Sequence, residues 1–373
     1  MRVTPHDWTP ERIKRLRQRF GDTQEQFATR ISENIGKPVL ANRVARWESG
    51  NARPSLGYVT ALRALDKVAP VVPVPSAPVQ ARFELVDLPV PAIGWKPYDD
   101  LLDLALAEDI GGGDVTTRAT IPADRMARGV MLAKTAGVVS GLEVAEVVFR
   151  KVDPTIVFKP LVADGTLVQP RDPIAEITGP ARGILIGERT ALNLLQRLSG
   201  VATMTARFVA AVEGTQARII DTRKTTPGMR WLEKAAVRHG GGQNHRFGLS
   251  DGVLIKDNHL AAVGGPQPVA DAVRLARESA PHGLKIEVEV TDLDQLREAI
   301  GARADIIMLD NMGLEEMAEA VRINDGRALL EASGGVNLDT VRAIAETGVD
   351  LISVGALTHS AGSMDISLDF DLR

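Results

Sequence analysis

The sequence predicts an α/β protein that carries a small all-α domain near its N-terminal end. Three observations support this fold class. From about residue 217 onward, short apolar runs alternate with amphipathic helical stretches, residues 97–210 mix the two kinds of segment, and residues 10–66 show helical periodicity alone. Regular alternation gives parallel strands joined by right-handed crossovers, so the C-terminal part is expected to form an α/β barrel rather than an open sheet.

Within residues 10–66, four apolar patterns at helical spacing predict four short helices. Thr23 and Gln26 have the spacing of a capping box, which places the start of the second helix there. The second helix is predicted to bury Phe27, Ala28 and Ile31. The other three patterns are Ile13, Leu16 and Phe20 for the first helix, Val39, Leu40, Val44 and Trp47 for the third, and Leu56, Val59, Leu62 and Leu65 for the fourth.

The clearest break in the chain is the uncharged, proline-rich stretch VAPVVPVPSAPVQA at residues 68–81. Proline fixes φ and removes a backbone donor, so this stretch is expected to be an extended spacer. The predicted divisions are residues 1–67 for the helical domain, 68–95 for the linker, 96–210 for a mixed α and β domain that could include the C-terminal tail, and 211–373 for the barrel.

Polar residues follow the buried-looking strands of the predicted barrel. The strand candidates are ARIID (217–221), DGVLIKD (251–257), KIEVEV (285–290), ADIIMLD (304–310), ALLEAS (328–333) and DLISVG (350–355). In an α/β barrel the carboxyl ends of the strands meet on one face, and active sites are built there. Packing explains any one of these polar ends, but it does not explain why six successive strands share the feature.

The residue types at these strand ends belong to a coherent chemistry. Arg223, Lys224, His245, Arg246 and Lys256 would gather positive charge for an anionic ligand, since arginine matches carboxylates and lysine acts as a point charge.

Two carboxylates and a set of glycines complete the predicted site. Glu289 and Asp310 supply the hard oxygen ligands that suit Mg²⁺ held together with substrate phosphates. Backbone amides at strand-to-helix turns commonly bind phosphate on this face of a barrel. The residues that offer them are Ser333, Gly334, Gly335 and Gly355.

The composition excludes several classes of protein. The 373 residues contain no cysteine, which rules out disulfides, thiolate metal sites and a cysteine nucleophile, and which agrees with a cytoplasmic location. No uncharged apolar run reaches 18 residues, so no membrane span is expected, and the first residues lack the apolar core of a signal peptide.

Seven segments of the sequence, several of them at the predicted strand ends, resemble the quinolinate phosphoribosyltransferase family. The matching segments are GERTALNLLQRLSGVAT (187–203), DTRKTTPGMR (221–230), EKAAVRHGGGQNHRFGLSDGVLIKDNH (233–259), IEVEV (286–290), IIMLDN (306–311), EASGGV (331–336) and VGALTHS (354–360). The resemblance covers roughly residues 95–373, and it implies an α/β sandwich followed by an open, seven-stranded α/β barrel. It also implies the transfer of phosphoribosyl from phosphoribosyl pyrophosphate to quinolinate with loss of CO₂, in de novo NAD biosynthesis.

The resemblance assigns a role to each matching position. It implies that Arg223, His245, Arg246 and Lys256 bind quinolinate, with Lys224 in the same basic group, and that Lys224 and Lys256 are candidates for a proton donor. It further implies that Glu289 and Asp310 lie near the ribose and Mg²⁺, and that Ser333, Gly334, Gly335 and Gly355 hold the 5-phosphate. Arg189 matches an arginine that reaches the site of a neighbouring subunit, which implies a homodimer or a larger assembly.

The helical segment resembles the helix-turn-helix of phage-repressor-type regulators. TQEQFA (23–28) and RWESGNARPS (46–55) carry this resemblance, and residues 1–69 hold 13 Lys and Arg against 7 Asp and Glu. The resemblance implies that the third helix enters the DNA major groove, with Gln24, Arg43 and Arg46 as candidate contacts. The stretch between the second and third helices is a few residues longer than the usual tight turn, so a helical bundle that serves assembly is the alternative.

Two further interpretations of the barrel stay open at the level of sequence. One is a transcription regulator whose barrel only senses a pyridine or a nucleotide, although such a sensor would not need both Glu289 and Asp310. The other is a phosphoribosyltransferase-like paralogue associated with molybdenum transport, which the intact basic cluster and the KDNH segment (256–259) argue against. An enzyme that also regulates through DNA is compatible with the main interpretation.

Overall fold

The computed structural model describes residues 9–68, apart from residues 21, 36, 50 and 53, together with residues 97–371. The chain divides into two compact units, residues 1–90 and residues 91–373. The predicted linker lies outside the described residues from residue 69 onward.

The helical unit has the four predicted helices. They are α1 (Pro10–Arg19), α2 (Gln24–Ile35), α3 (Ala41–Glu48) and α4 (Leu56–Val68). The capping box is confirmed, because the Thr23 N–H donates to Gln26 Oε1 at 2.8 Å and the Gln26 N–H donates to Thr23 Oγ1 at 3.3 Å. Leu40, a member of the third apolar pattern, precedes α3 in extended conformation and is 66% exposed.

The second unit begins with an antiparallel sheet flanked by helices. Its elements are α5 (Asp99–Ile110), α6 (Val115–Thr120), β1 (Met126–Ala133), β2 (Gly137–Val138), α7 (Leu142–Val152), β3 (Val157–Pro160), β4 (Leu167–Val168), β5 (Pro173–Pro180) and α8 (Ala181–Ala211). The last strand of the chain, β12 (Ile366–Asp371), joins this sheet beside β1, which gives the order β12-β1-β5-β3. The C-terminal tail therefore returns to the first sheet of this unit.

Strand and helix alternate through the rest of the chain. The elements are β6 (Arg218–Ile220), α9 (Arg230–His239), β7 (Val253–Ile255), α10 (Asp257–Val263), α11 (Pro268–Ser279), β8 (Ile286–Val290), α12 (Leu293–Gly301), β9 (Ile306–Asp310), α13 (Leu314–Asn324), β10 (Leu329–Ser333), α14 (Val341–Glu346), β11 (Leu351–Ser353) and α15 (Ala356–His359). All six strand candidates are confirmed, and they form one parallel sheet in the order β6-β11-β10-β9-β8-β7.

The seventh barrel strand is reduced to a single bridge among the described residues. Gln243 pairs in parallel with Ile220, on the open side of β6. Two of the three preceding glycines pass too close to α8 for side chains, since a Cβ added at Gly240 would lie 2.3 Å from the Ala202 carbonyl oxygen and one at Gly242 would lie 2.7 Å from Thr205 Cγ2. The linear strand order leaves β7 at the other edge, so the barrel is open.

Alternation along the strands sorts their side chains into two sets. On β8, Ile286, Val288 and Val290 are buried in the apolar core that the surrounding helices share, whereas Glu287 and Glu289 face the barrel interior. Inward-facing residues therefore lie in layers along the barrel axis. No helix in the described parts of the chain has both the length and the apolarity to cross a membrane.

Candidate active site

A cavity of about 550 Å³ opens at the carboxyl ends of the parallel strands. Its lining comes from the end of every strand in the sheet, together with the segment that contains His245 and Arg246. The lining residues are Thr222, Arg223, Lys224, His245, Arg246, Leu254, Lys256, Glu289, Met308, Asp310, Asn311, Glu331, Ser333, Gly334, Gly335 and Ser353.

The fold brings nearly all of the predicted barrel residues to this cavity. All five predicted basic residues, both predicted carboxylates and the Ser333-Gly334-Gly335 turn line it. Gly355 lies at its edge, because a Cβ added there would be 3.0 Å from Lys224 Cδ and 3.1 Å from His359 Nε2. Arg189 is the exception: it is exposed on α8 and does not line the cavity of its own chain.

The segment that carries His245 and Arg246 is held by a buried ion pair. Asp221, at the end of β6, pairs with Lys234 of α9, and both side chains are almost fully buried. Asp221 also accepts from the Asn244 side chain at 2.7 Å and from the His245 N–H at 2.9 Å. Burial raises the pKa of Asp221 and lowers that of Lys234, and the pairing opposes both shifts. This pair fixes the position of the loop from which Arg246 reaches the cavity.

The loop that carries Arg223 and Lys224 is anchored from the same helix. Glu233 of α9 accepts from the Thr226 N–H at 2.9 Å and from the Thr226 hydroxyl at 2.8 Å, and it pairs with Arg197 of α8 at 2.8 Å. The Thr358 hydroxyl donates to the Lys224 carbonyl oxygen at 2.8 Å. The basic side chains are therefore presented by loops tied to the scaffold, as a preorganised site requires.

The side chain of Arg246 has a hydrogen-bond donor that no described residue of the protein accepts from, and this donor is available to a ligand. Its guanidinium donates to the Gly252 carbonyl oxygen at 3.0 Å, but its buried Nε atom has no hydrogen-bond partner. Burial lowers the pKa of Arg246, and the nearby positive charge of Arg223 adds to the shift. Two neighbouring guanidinium groups, one of them partly buried, favour an anionic ligand with more than one carboxylate.

The predicted magnesium ligands are the carboxylates of Glu289 and Asp310. Among the described residues, no third His, Asp or Glu side chain forms a cation-binding group with them. Glu289 accepts from Lys256 Nζ at 2.7 Å, and Asp310 accepts from the Asn311 side chain at 2.9 Å. Across the described residues, the one group of three that could chelate a cation is His245, Glu287 and Glu331. Glu289 and Asp310 therefore fit Mg²⁺ only if substrate phosphate and water supply its other ligands, which is the usual arrangement for this ion.

The Gly334-Gly335 turn requires glycine. Both residues have positive φ, and a Cβ added at Gly334 would lie 2.2 Å from Asn311 Oδ1. Asn311 is itself left-handed and donates its N–H to the Ser333 carbonyl oxygen at 2.9 Å. The turn therefore leaves backbone beside the cavity where a side chain would intrude, which suits an approaching phosphate.

A layer of polar side chains lies below the cavity, and no role was predicted for it from the sequence. Glu331 lies on β10 two residues before Ser333, and Glu287 lies on β8 two residues before Glu289. His245 Nε2 is 2.9 Å from Glu287 Oε2 and 3.6 Å from Glu331 Oε2. Each of these carboxylates lies two residues before a predicted site residue. This spacing along a strand indicates that both side chains face the barrel interior.

The helical unit presents a basic face on α3. Asn42, Arg43 and Arg46 are exposed there, and Arg43 donates to the Tyr58 hydroxyl at 2.5 Å. Glu48, at the end of α3, is bound within the unit by Arg17 and by Gln24, whose side-chain amide donates to it at 2.8 Å. The amide of Gln24, a predicted DNA contact, is thus engaged by Glu48.

Comparison with known proteins gives a consistent result for the second unit. The N-terminal domain of quinolinate phosphoribosyl transferase matches residues 114–199 and its C-terminal domain matches residues 201–369. The nicotinate-nucleotide pyrophosphorylase (carboxylating) of Mycobacterium leprae is 47% identical over 276 residues, which span 72% of this chain and 96% of that protein. The quinolinate phosphoribosyltransferase (decarboxylating) 2, mitochondrial, of Nicotiana glauca is 39% identical over 329 residues, or 84% of this chain and 92% of that one.

A solved structure supports the same relationship. The nicotinate-nucleotide pyrophosphorylase from Francisella tularensis superposes with a TM-score of 0.70 at 40% identity, and the match covers 74% of this chain and 96% of that one. The two domain matches begin at residue 114, so the helical unit lies outside them.

Proposed function

Since the chain belongs to the quinolinate phosphoribosyltransferase family, we propose that its barrel site converts quinolinate and phosphoribosyl pyrophosphate into nicotinate mononucleotide, pyrophosphate and CO₂. The observation that supports this most is the combination of side chains that line the cavity. Arg223, Arg246 and Lys256 supply positive charge, whereas Asp310 and the Gly334-Gly335 turn suit a phosphorylated sugar with a cation. The test is an assay for nicotinate mononucleotide with purified protein, both substrates and Mg²⁺.

The basic residues bind the pyridine dicarboxylate. Arg223 and Arg246 are close enough for their charges to interact, so a dianion relieves their repulsion when it binds. Lys256 is paired with Glu289 and gives the site a further positive charge, with Lys224 on the neighbouring loop. The protein's contribution is electrostatic preorganisation and positioning, since no nucleophilic side chain is required.

The remaining predicted residues of the cavity bind phosphoribosyl pyrophosphate. Ser333, Gly334, Gly335 and Gly355 offer backbone to the 5-phosphate, and Glu289 and Asp310 lie where the ribose and Mg²⁺ bind. When bound, Mg²⁺ would neutralise the charge that develops on the departing pyrophosphate.

The reaction has two chemical stages. The pyridine nitrogen attacks the anomeric carbon as pyrophosphate leaves, through an oxocarbenium-like state. The quaternised ring then stabilises a carbanion at C2, so the adjacent carboxylate departs as CO₂ and C2 must receive a proton.

The position of Arg189 supports a homodimer as the working assembly. It is exposed on α8 and does not line the cavity of its own chain, although it lies within a segment typical of the family. In a dimer, Arg189 would complete the quinolinate site of the partner subunit. Reciprocal completion of this kind is a property of two-fold symmetric interfaces.

A second function, DNA binding, is proposed for the helical unit. The exposed face of α3 carries Asn42, Arg43 and Arg46, and the acidic residue of this helix, Glu48, is bound by Arg17 and Gln24. Such a face suits phosphates and base edges in a major groove. A dimer would carry two helical units, which favours a near-palindromic target such as the promoter of NAD-synthesis genes.

The DNA proposal predicts a loss of binding when this face is altered. Genomic selection with the full chain should enrich a near-palindromic site, and binding should weaken steeply with salt because phosphate counterions are released. Arg46→Ala should weaken binding by about 1–3 kcal/mol, measured by a gel shift at fixed salt. Arg274→Ala, an exposed arginine of α11, is the control and should bind normally.

Two results would contradict the DNA proposal: no site enriched by the selection, or equal binding by Arg46→Ala and the wild type. In either case the helical unit serves another purpose, such as assembly.

A further inference from the structure

A second cavity lies on the opposite side of the polar layer. It has a volume of about 350 Å³ and is lined by the amino ends of the strands, among them Arg218, Ile306 and Leu351. His245, Arg246 and Glu331 line both this lower cavity and the upper, catalytic cavity. A single layer of side chains therefore separates the two.

Two carboxyl groups lie in that layer. The Nε2 atom of His245 and one oxygen each from Glu287 and Glu331 all lie within 4.8 Å of one another. Glu331 is 0% exposed, and among the described residues neither of its oxygens has a hydrogen-bond partner, nor does one oxygen of Glu287. Two ionised carboxylates this close in a buried layer would repel strongly, so the pair favours holding one proton.

His245 decides which carboxyl is ionised. The Arg246 N–H donates to His245 Nδ1 at 2.7 Å, so the ring proton is on Nε2, and Nε2 donates to Glu287 at 2.9 Å. Glu287 is therefore the carboxylate that accepts this hydrogen bond. The same tautomer argues against a cation in this cluster, because Nε2 would have to give up its proton to become a ligand.

Glu331 is therefore the carboxyl group of the pair that holds the proton. The polar groups around it are His245, Glu287 of β8, Ser353 of β11 and, more distantly, Lys256 after β7, whereas β9 presents the uncharged Met308 beside it. Burial, and then the charge of Glu287, raises the pKa of Glu331 well above its ordinary value. A carboxylic acid kept protonated at neutral pH is available as a general acid.

We propose that Glu331 delivers the proton to C2 of the pyridine ring after decarboxylation, and that the lower cavity returns a proton to it. This inference rests on the proposed function. The bond between C2 and the carboxylate breaks, CO₂ leaves and the electron pair stays on C2. The O–H bond of Glu331 then breaks as the C2–H bond forms. Glu331 becomes a carboxylate beside Glu287, and their repulsion drives uptake of a proton from water in the lower cavity.

The geometry favours Glu331 over the lysines as the donor. Lys256 is paired with Glu289 at 2.7 Å, so the loss of its proton would leave that carboxylate without its partner. Lys224 lines the upper cavity but not the lower one. Glu331 is fully buried and lines both cavities, so its carboxyl group lies between the upper cavity and the lower one.

The test separates the two chemical stages with Glu331→Gln, which keeps the shape of the side chain and removes the acid. In rapid-quench single turnovers with the full chain, quinolinate, phosphoribosyl pyrophosphate and Mg²⁺, we expect pyrophosphate release within about threefold of the wild-type rate. Nicotinate mononucleotide formation should fall by about 100-fold or more, since general acids contribute on that scale. The wild-type rate should fall as pH rises through the pKa of Glu331, and this alkaline decline should be lost in the variant.

Glu287→Gln provides a second measurement that does not depend on how well the first variant folds. Gln can still accept from His245 Nε2, but the negative charge beside Glu331 is gone. The pKa of Glu331 should fall, so the alkaline decline should move to lower pH. Glu315→Gln, at an exposed position on α13, is the matched control and should leave the pH profile unchanged.

The outcomes are distinguishable. If the wild type makes nicotinate mononucleotide but Glu331→Gln forms it at the wild-type rate with the same pH profile, the role of Glu331 is overturned and the proposed function stands. An unmoved alkaline decline in Glu287→Gln overturns it equally. If the wild type makes no nicotinate mononucleotide from quinolinate, both proposals fail.

Discussion

Replacing Arg246 by alanine should abolish most of the catalytic efficiency. The guanidinium is partly buried and one nitrogen has no hydrogen-bond partner among the described residues, so its loss removes a charge-assisted contact in a desolvated site. Such losses are about 2–5 kcal/mol, or about 30- to 5,000-fold in kcat/KM for quinolinate.

Two variants make the result for Arg246 specific. Arg246→Lys keeps the charge but not the forked donor, so it should recover only part of the loss. Arg322→Ala, at an exposed position on α13, should behave as the wild type. A near-normal kcat/KM for Arg246→Ala would place the quinolinate site elsewhere.

Arg189→Ala should also be inactive on its own, although Arg189 lies outside the cavity of its own chain. If it completes the partner subunit's site, a heterodimer of Arg189→Ala with Arg246→Ala contains one site with both arginines and one with neither. Random mixing of equal amounts should therefore restore about a quarter of the wild-type activity. The measurement is the rate before and after subunit exchange; mixed dimers isolated through two different tags should show about half of the wild-type activity, because one of their two sites is complete.

The control for subunit mixing is each variant carried through the same exchange with itself, which should remain inactive. Activity that does not return in verified mixed dimers would mean that Arg189 acts within its own chain or only structurally. An assembly with no two-fold interface would also contradict the dimer proposal.

The sequence could place the predicted residues around one cavity because barrels bring their strand ends together on one face. Parallel strands leave their carboxyl ends on one face, so residues distant in sequence, such as Arg223 and Asp310, could be placed together without coordinates. The six strands were predictable for the same reason: short apolar runs such as IIML alternate with helices of clear amphipathicity.

Other features depend on contacts that no local pattern encodes. The Asp221–Lys234 pair and the contact between His245 and Glu287 join residues from different elements. Period-two spacing from Ser333 indicates that Glu331 faces the barrel interior, but nothing local to the sequence shows that it is fully buried between two cavities. The seventh strand became a bridge at Gln243 because the preceding glycines press against α8, a long-range restriction.

The most direct test of the central claim is a product assay on the purified chain with phosphoribosyl pyrophosphate and Mg²⁺. With quinolinate, we expect nicotinate mononucleotide, pyrophosphate and CO₂ in equal amounts. With nicotinate, which has one carboxylate for the same basic residues, we expect no comparable turnover. Equal turnover of nicotinate, or no nicotinate mononucleotide from quinolinate, would contradict the proposed function.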